Sequence, residues 1–212
     1  MVAAGCGWLA CIGDFAVTFF LKSFYPGYNP IYQTISYLGT SDSPVAGYMN
    51  AWSVSLFILL AVFAGGFYRA FSDQGKWAKT TACLIFLYGL GEGAGSGLFP
   101  FEHANGKLTF SGLVHSIFGA VGVLSMVLVP VVALKLFPKP EFPRLSFYAK
   151  FTSVAGVAFI LLFLASKLDL ISYRGLWQRL FILIYHLFLM VLAVRMLMRS
   201  GMDETEPVAG SN

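Results

Sequence analysis

Charge is scarce in this chain: only 11% of its 212 residues are Asp, Glu, Lys or Arg, against roughly 25% in a soluble domain. So little charge cannot cover the surface of a water-soluble enzyme, which excludes a separate soluble catalytic domain. Nucleic acid is excluded as the main partner too. The net charge of +4 is spread over short connections and forms no basic stripe. Cysteine is scarcer still. Cys6, Cys11 and Cys83 are an odd number with no C-x-x-C spacing, so they read as packing thiols and not as a disulfide framework. The three histidines lie too far apart in sequence for H-E-x-x-H or H-x-x-x-H, so no local metal motif is present.

What is abundant is apolar. Hydrophobic residues make up 58% of the chain, and the mean hydropathy is +0.74. Six apolar runs stand out: Ala3–Leu21, Val45–Phe67, Thr80–Leu98, Leu113–Phe137, Ser146–Leu168 and Leu180–Met198. Each approaches or exceeds the ~20 residues that cross a bilayer as a helix. Hydrocarbon offers backbone amides no water, so runs of this length must be helical, and none alternates as a barrel strand would. The fold class predicted is an all-α integral membrane protein, a single six-transmembrane-helix bundle over residues 1–200. Residues 201–212 are expected to be a flexible cytoplasmic tail.

If the spans alternate, nine basic residues fall on one side and five on the other. The richer side is expected to be cytoplasmic, with both termini inside and the protein in the cell (plasma or inner) membrane. The first run lacks a charged leader and carries Asp14, so it reads as a span and not as a secretory signal. The outward loop from Lys22 to Pro44 is too long for a turn, and Ile31–Leu38 is expected to lie flat as an interfacial helix. Ser43 and Pro44 have the chemistry of an N-cap and first helical residue for the second span. Gly47, Gly112 and Gly175, each three residues before a polar side chain, hint at a threefold hairpin repeat.

Four polar residues sit where they are costly. A charge at bilayer depth costs at least ~2.5–3.5 kcal/mol, so Asp14, Glu92, His115 and His186 need partners, water or a function. At the helical rise per residue, Asp14 and Glu92 lie roughly 10 and 9 Å below the outer ends of their spans. His115 enters the fourth span and His186 follows Arg179 into the sixth, so all four fall in the same half of the membrane. Glycines on either side of Glu92 let neighbouring helices approach it. An outward-opening polar pocket follows, with Ser36, Asp42, Glu102, His115 and Arg179 at its rim and Asp14, Glu92 and His186 deeper.

Two histidines with two carboxylates also make a workable zinc set, with His115, His186, Asp14 and Glu92 as candidate ligands for lipid ester or amide hydrolysis. The same two histidines could be axial ligands of a haem, although a transmembrane electron path usually needs two haems. The plainer alternative is structural: Glu92 with Arg179, or Asp14 with a histidine, fixing the bundle.

Three blocks carry a family likeness. They are Tyr25-Pro26-Gly27-Tyr28 with Gln33 to Gly39 and Ser43 to Asn50, then Gly97-Leu98-Phe99-Pro100 followed by His115, then Gly175 to Leu180. Together they resemble the membrane family called domain of unknown function 998, with Tyr37 where an acidic residue is usual and Glu102 where aspartate is commoner. The resemblance implies six spans and no settled activity. More distantly, the Ile-Ser-x-x-Gly loop is similar to Frag/DRAM/Sfk membrane proteins, which are associated with lipid remodelling. The expected function is a pocket that handles a lipid or other amphiphile. The alternatives are a metal-dependent lipid hydrolase or transferase, and an accessory subunit of a larger membrane complex. Membrane lipids are the expected partners, with a membrane-protein partner or a second copy of the chain beside them.

Overall fold

The structure is a computed structural model that describes residues 1–203. It is 79% helical, with almost no strand. Six helical rods make up the bundle: α1 (Val2–Leu21), α2 (Ala46–Ala70), α3 (Lys76–Tyr88 and its continuation), α4 (Phe110–Leu136), α5 (Pro143–Lys167) and α6 (Arg174–Asp203). Five of them are long and apolar enough to cross a membrane. The sixth, α3, continues from Tyr88 through a π-helical stretch, Gly89–Gly95, into a last turn, Ser96–Leu98. Most of the expected tail, residues 204–212, lies outside the described residues.

Consecutive rods pack side by side, and α6 closes the ring against α1. Short links force the alternation. Between α2 and α3 only Phe71–Gly75 intervenes, and Gly75 turns the chain at φ 62°. Every second link therefore gathers at one end, here termed the loop-rich end. It holds the long segment from Lys22 to Val45, the loop after Leu98, and the link between α5 and α6. The core between the rods is aliphatic and aromatic, with Phe63, Phe67, Phe137, Tyr185 and Phe188 fully buried.

Glycine does most to set how closely α3 is held. A Cβ at Gly93 would stand 2.7 Å from the Phe57 backbone nitrogen of α2, and one at Gly91 would stand 2.4 Å from the Phe118 carbonyl of α4. Alternate glycines thus face α2 and α4, and both neighbours come in to backbone contact. The uniform α-helix expected over Thr80–Leu98 is not what forms. Four of the seven residues from Gly89 to Gly95 are glycine and have no side chain to favour the α-helical turn, and the wider π turn replaces it.

Other local expectations shift in similar ways. The interfacial helix of Ile31–Leu38 is reduced to a 3-10 segment at Ile35–Gly39. The α2 N-cap is Val45, without a side-chain hydrogen bond; Ser43 Oγ accepts from Val45 N at 3.3 Å instead. The repeat glycines differ in use. Gly112 and Gly175 lie against loop carbonyls, whereas Gly47 faces open space. After Leu98 the chain forms a small hairpin, His103–Ala104 (β1) with Lys107–Leu108 (β2), whose Asn105-Gly106 turn takes positive φ at both residues.

Candidate functional site

The site begins with how the long first loop is held. Arg179, buried in the first turns of α6, donates through Nη1 to the carbonyls of Pro30 (2.7 Å), Gln33 (3.1 Å) and Gly175 (3.0 Å). Its Nη2 donates to Tyr28 Oη at 2.6 Å, and Tyr28 Oη in turn donates to the Thr34 carbonyl at 3.0 Å. Burial pushes the Tyr28 phenol up in pKa, with the Arg179 charge opposing. Gly175 makes the approach possible, since a Cβ there would stand 2.2 Å from the Gln33 carbonyl. Next along α6, Gln178 Oε1 accepts from Ile35 N at 2.7 Å. This clamp on the loop places the next residue, Ser36.

Ser36 faces His115 of α4, with Oγ 3.3 Å from Nε2. The other imidazole nitrogen, Nδ1, is 2.9 Å from the carbonyl oxygen of Phe99. A carbonyl accepts only, so Nδ1 carries the proton, and in the neutral ring Nε2 is left to accept from the serine. Phe101 packs on the imidazole at 5.4 Å. Glu92 projects from the π-helical stretch over Gly119 and Gly122 of α4, where a larger residue would take its room.

Two cavities share Ser36, Glu92, Phe101, His115 and Gln178. One is small, about 50 Å³, and polar; it runs inward past Asn50, Ser53 and Ser96 to Asp14 and Tyr88. The other is a cleft of about 430 Å³ between α4, α5 and α6. Its polar end holds Glu92, Lys167 and Arg174, and the rest is walled by Val123, Leu124, Val127, Ile160, Phe163 and Leu164. Leu124 and Leu164 are exposed, and Leu124 stands near the middle of α4, so the cleft opens on the flank of the bundle. Arg174 is tied to Asp169 and to the Ser166 carbonyl, while Lys167 lies over the Phe163 ring.

Deeper in the bundle, Asp14 accepts from Trp52 Nε1 at 3.3 Å, and Tyr88 Oη lies 2.5 Å from His186 Nε2. His186 Nδ1 is buried and has no hydrogen-bond partner of normal geometry among the described residues. These pairs link α1 to α2 and α3 to α6.

Of the residues expected to form the pocket, Asp14, Ser36, Glu92 and His115 line the same polar cavity. His186 sits behind it, joined through Tyr88. Three others go elsewhere. Arg179 lines neither cavity and holds the loop, because four oxygens claim its guanidinium. Asp42 is exposed on the loop and lines neither cavity. Glu102 accepts from Ser41 Oγ, tying the hairpin loop to the first loop. The zinc set also fails: among the described residues no three His, Cys, Asp or Glu side chains form a group able to hold a metal ion. The two imidazoles stand in separate hydrogen-bonded sets, His115 with Ser36 and the Phe99 carbonyl and His186 with Tyr88. Sequence reasoning missed Lys167, Arg174 and Gln178. Their positions at the ends of apolar runs are where flanking anchors ordinarily lie, and only the structure shows that they line the cleft.

No curated protein and no solved structure matches this chain. One family does, the one described as Protein of unknown function (DUF998), and its match covers residues 8–195. With nearly the whole bundle inside that match, the chain belongs to the DUF998 family, as a helical membrane protein of six rods.

Proposed function

We propose that this protein binds an anionic amphiphile drawn from the membrane, with its head among Lys167, Arg174 and His115 and its chain along the apolar part of the cleft. The carrying observation is the cleft itself, polar at one end, apolar along the rest, and open on the flank at exposed Leu124 and Leu164. A water-soluble ligand would have no use for that side opening. A lipid chain suits the apolar walls, each buried methylene adding ~0.8 kcal/mol. In this reading the loop-rich end faces outward from the cell membrane, both termini are cytoplasmic, and lipids are the partners. The basic-residue count supports that orientation.

The reading is tested by native mass spectrometry of the purified protein offered phosphatidylglycerol or phosphatidylcholine. Phosphatidylglycerol should be retained preferentially. Gly119 lines the cleft, and a Cβ there would meet only Glu92, at 3.8 Å. Gly119→Phe should therefore fill the cleft without striking a helix, and retention should fall at least about tenfold, equivalent to 1.4 kcal/mol. Lys167→Glu should abolish the headgroup preference. Retention by Gly119→Phe equal to wild type would overturn the assignment of the cleft.

A further inference from the structure

We infer that Ser36 and His115 are a catalytic dyad that cleaves a carboxylic ester of the amphiphile held in the cleft. The inference of substrate class rests on the binding reading above; the dyad itself rests on independent geometry. A hydroxyl becomes a nucleophile when a base accepts its proton and a third group fixes that base. All three parts are present. Ser36 Oγ lies 3.3 Å from His115 Nε2, and the Phe99 carbonyl, 2.9 Å from Nδ1, selects the tautomer that leaves Nε2 basic. The serine–imidazole distance is that of a pair without substrate, which commonly tightens when one binds.

The surroundings suit acyl transfer. Both side chains line the cleft and the polar cavity together, so the pair stands where an apolar channel meets a wet one. Gln178 supplies a donor for the carbonyl oxygen. Its Oε1 is engaged by Ile35 N, and its NH₂ group makes no hydrogen bond among the described residues while the side chain lines both cavities. The polar cavity, about 50 Å³, has room for a few waters.

The steps balance without any further reactant than water. Ser36 Oγ attacks the ester carbonyl carbon as its proton passes to His115 Nε2, and negative charge on the carbonyl oxygen is met by the Gln178 amide. The C–O bond to the alcohol breaks, the alcohol leaves with the proton from Nε2, and the acyl group remains on Ser36. Water from the polar cavity then attacks the acyl carbon, giving its proton to Nε2. The bond between the acyl carbon and Ser36 Oγ breaks, Oγ recovers that proton, and the carboxylic acid departs into the cleft.

Two fluorophosphonates, one with an ethyl and one with a hexadecyl chain, test this on the full chain in detergent or nanodiscs. Each should leave one phosphonyl adduct, mapped to Ser36 by mass spectrometry and missing from Ser36→Ala. His115→Ala should slow labelling at least about a hundredfold, as expected for loss of a general base. The hexadecyl probe should react faster than the ethyl probe, and Gly119→Phe should erase the difference. A protein that retains phosphatidylglycerol yet gains no adduct at Ser36, or whose His115→Ala variant is labelled as fast as wild type, overturns the dyad and leaves the binding reading intact. Equal rates for the two chain lengths, with Ser36 labelled, overturn the cleft as the substrate's seat and leave the dyad standing.

Discussion

At the scale of single residues, the cost of burying a polar group is the most informative quantity. It drew attention to Glu92 and His115, and both line the polar cavity, since a half-buried ionisable group in a span has to meet either protein or water. The same cost could not say where a long side chain would reach. Arg179 is equally expensive, but its partners are backbone carbonyls of a loop thirty places from the N-terminus, and backbone carbonyls carry no sequence signature. Its role is accordingly testable as a clamp. Arg179→Met removes four charge-assisted hydrogen bonds and should lower stability in a detergent melt by about 1.5–3 kcal/mol. Arg179→Lys should recover only part of that loss, since one ammonium cannot reproduce a fork that serves Pro30, Gln33, Gly175 and Tyr28 together. Full recovery in the lysine variant would show that charge alone, and not the planar fork, holds the loop.

At the scale of elements, the six rods were legible because each has to satisfy its own backbone within hydrocarbon. Their ends were less so. The first turns of α3 and α6 are polar, with Lys76 and Lys79 in one and Arg174 and Gln178 in the other, and a hydropathy run stops before such residues although the helix does not. The π-helical stretch was not legible at all, because glycine favours no particular turn and the packing of two neighbours decides it. That packing makes a sharp contrast within one residue type. Gly93→Ala places a Cβ 2.7 Å from the Phe57 nitrogen and should cost about 1–3 kcal/mol, with Gly93→Leu worse still. Gly65→Ala on the open face of α2 meets nothing within 4 Å and should be neutral or stabilise by up to about 1 kcal/mol. Equal melting temperatures for Gly93→Ala and wild type would mean that α2 and α3 are not in backbone contact.

At the scale of the whole molecule, the proposed orientation places Asn105, at the tip of the β1–β2 hairpin, outside the cell and Ser72, in the short α2–α3 link, inside. A cysteine at Asn105 should react with an impermeant maleimide on intact cells, and one at Ser72 only after permeabilisation; the reverse pattern would invert the bundle. In the proposed reading, the opening of the cleft between α4 and α5 has a further consequence for how occupancy is controlled. A site that fills sideways equilibrates with the bilayer, so the governing variable is the mole fraction of ligand among lipids, not its amount per litre of buffer. Diluting proteoliposomes tenfold with buffer should leave occupancy unchanged, whereas diluting the ligand tenfold with inert lipid should reduce it. Every neighbouring lipid is then a competitor present at near-solvent abundance, and selectivity over that background, more than affinity, is the quantity this cleft has to supply.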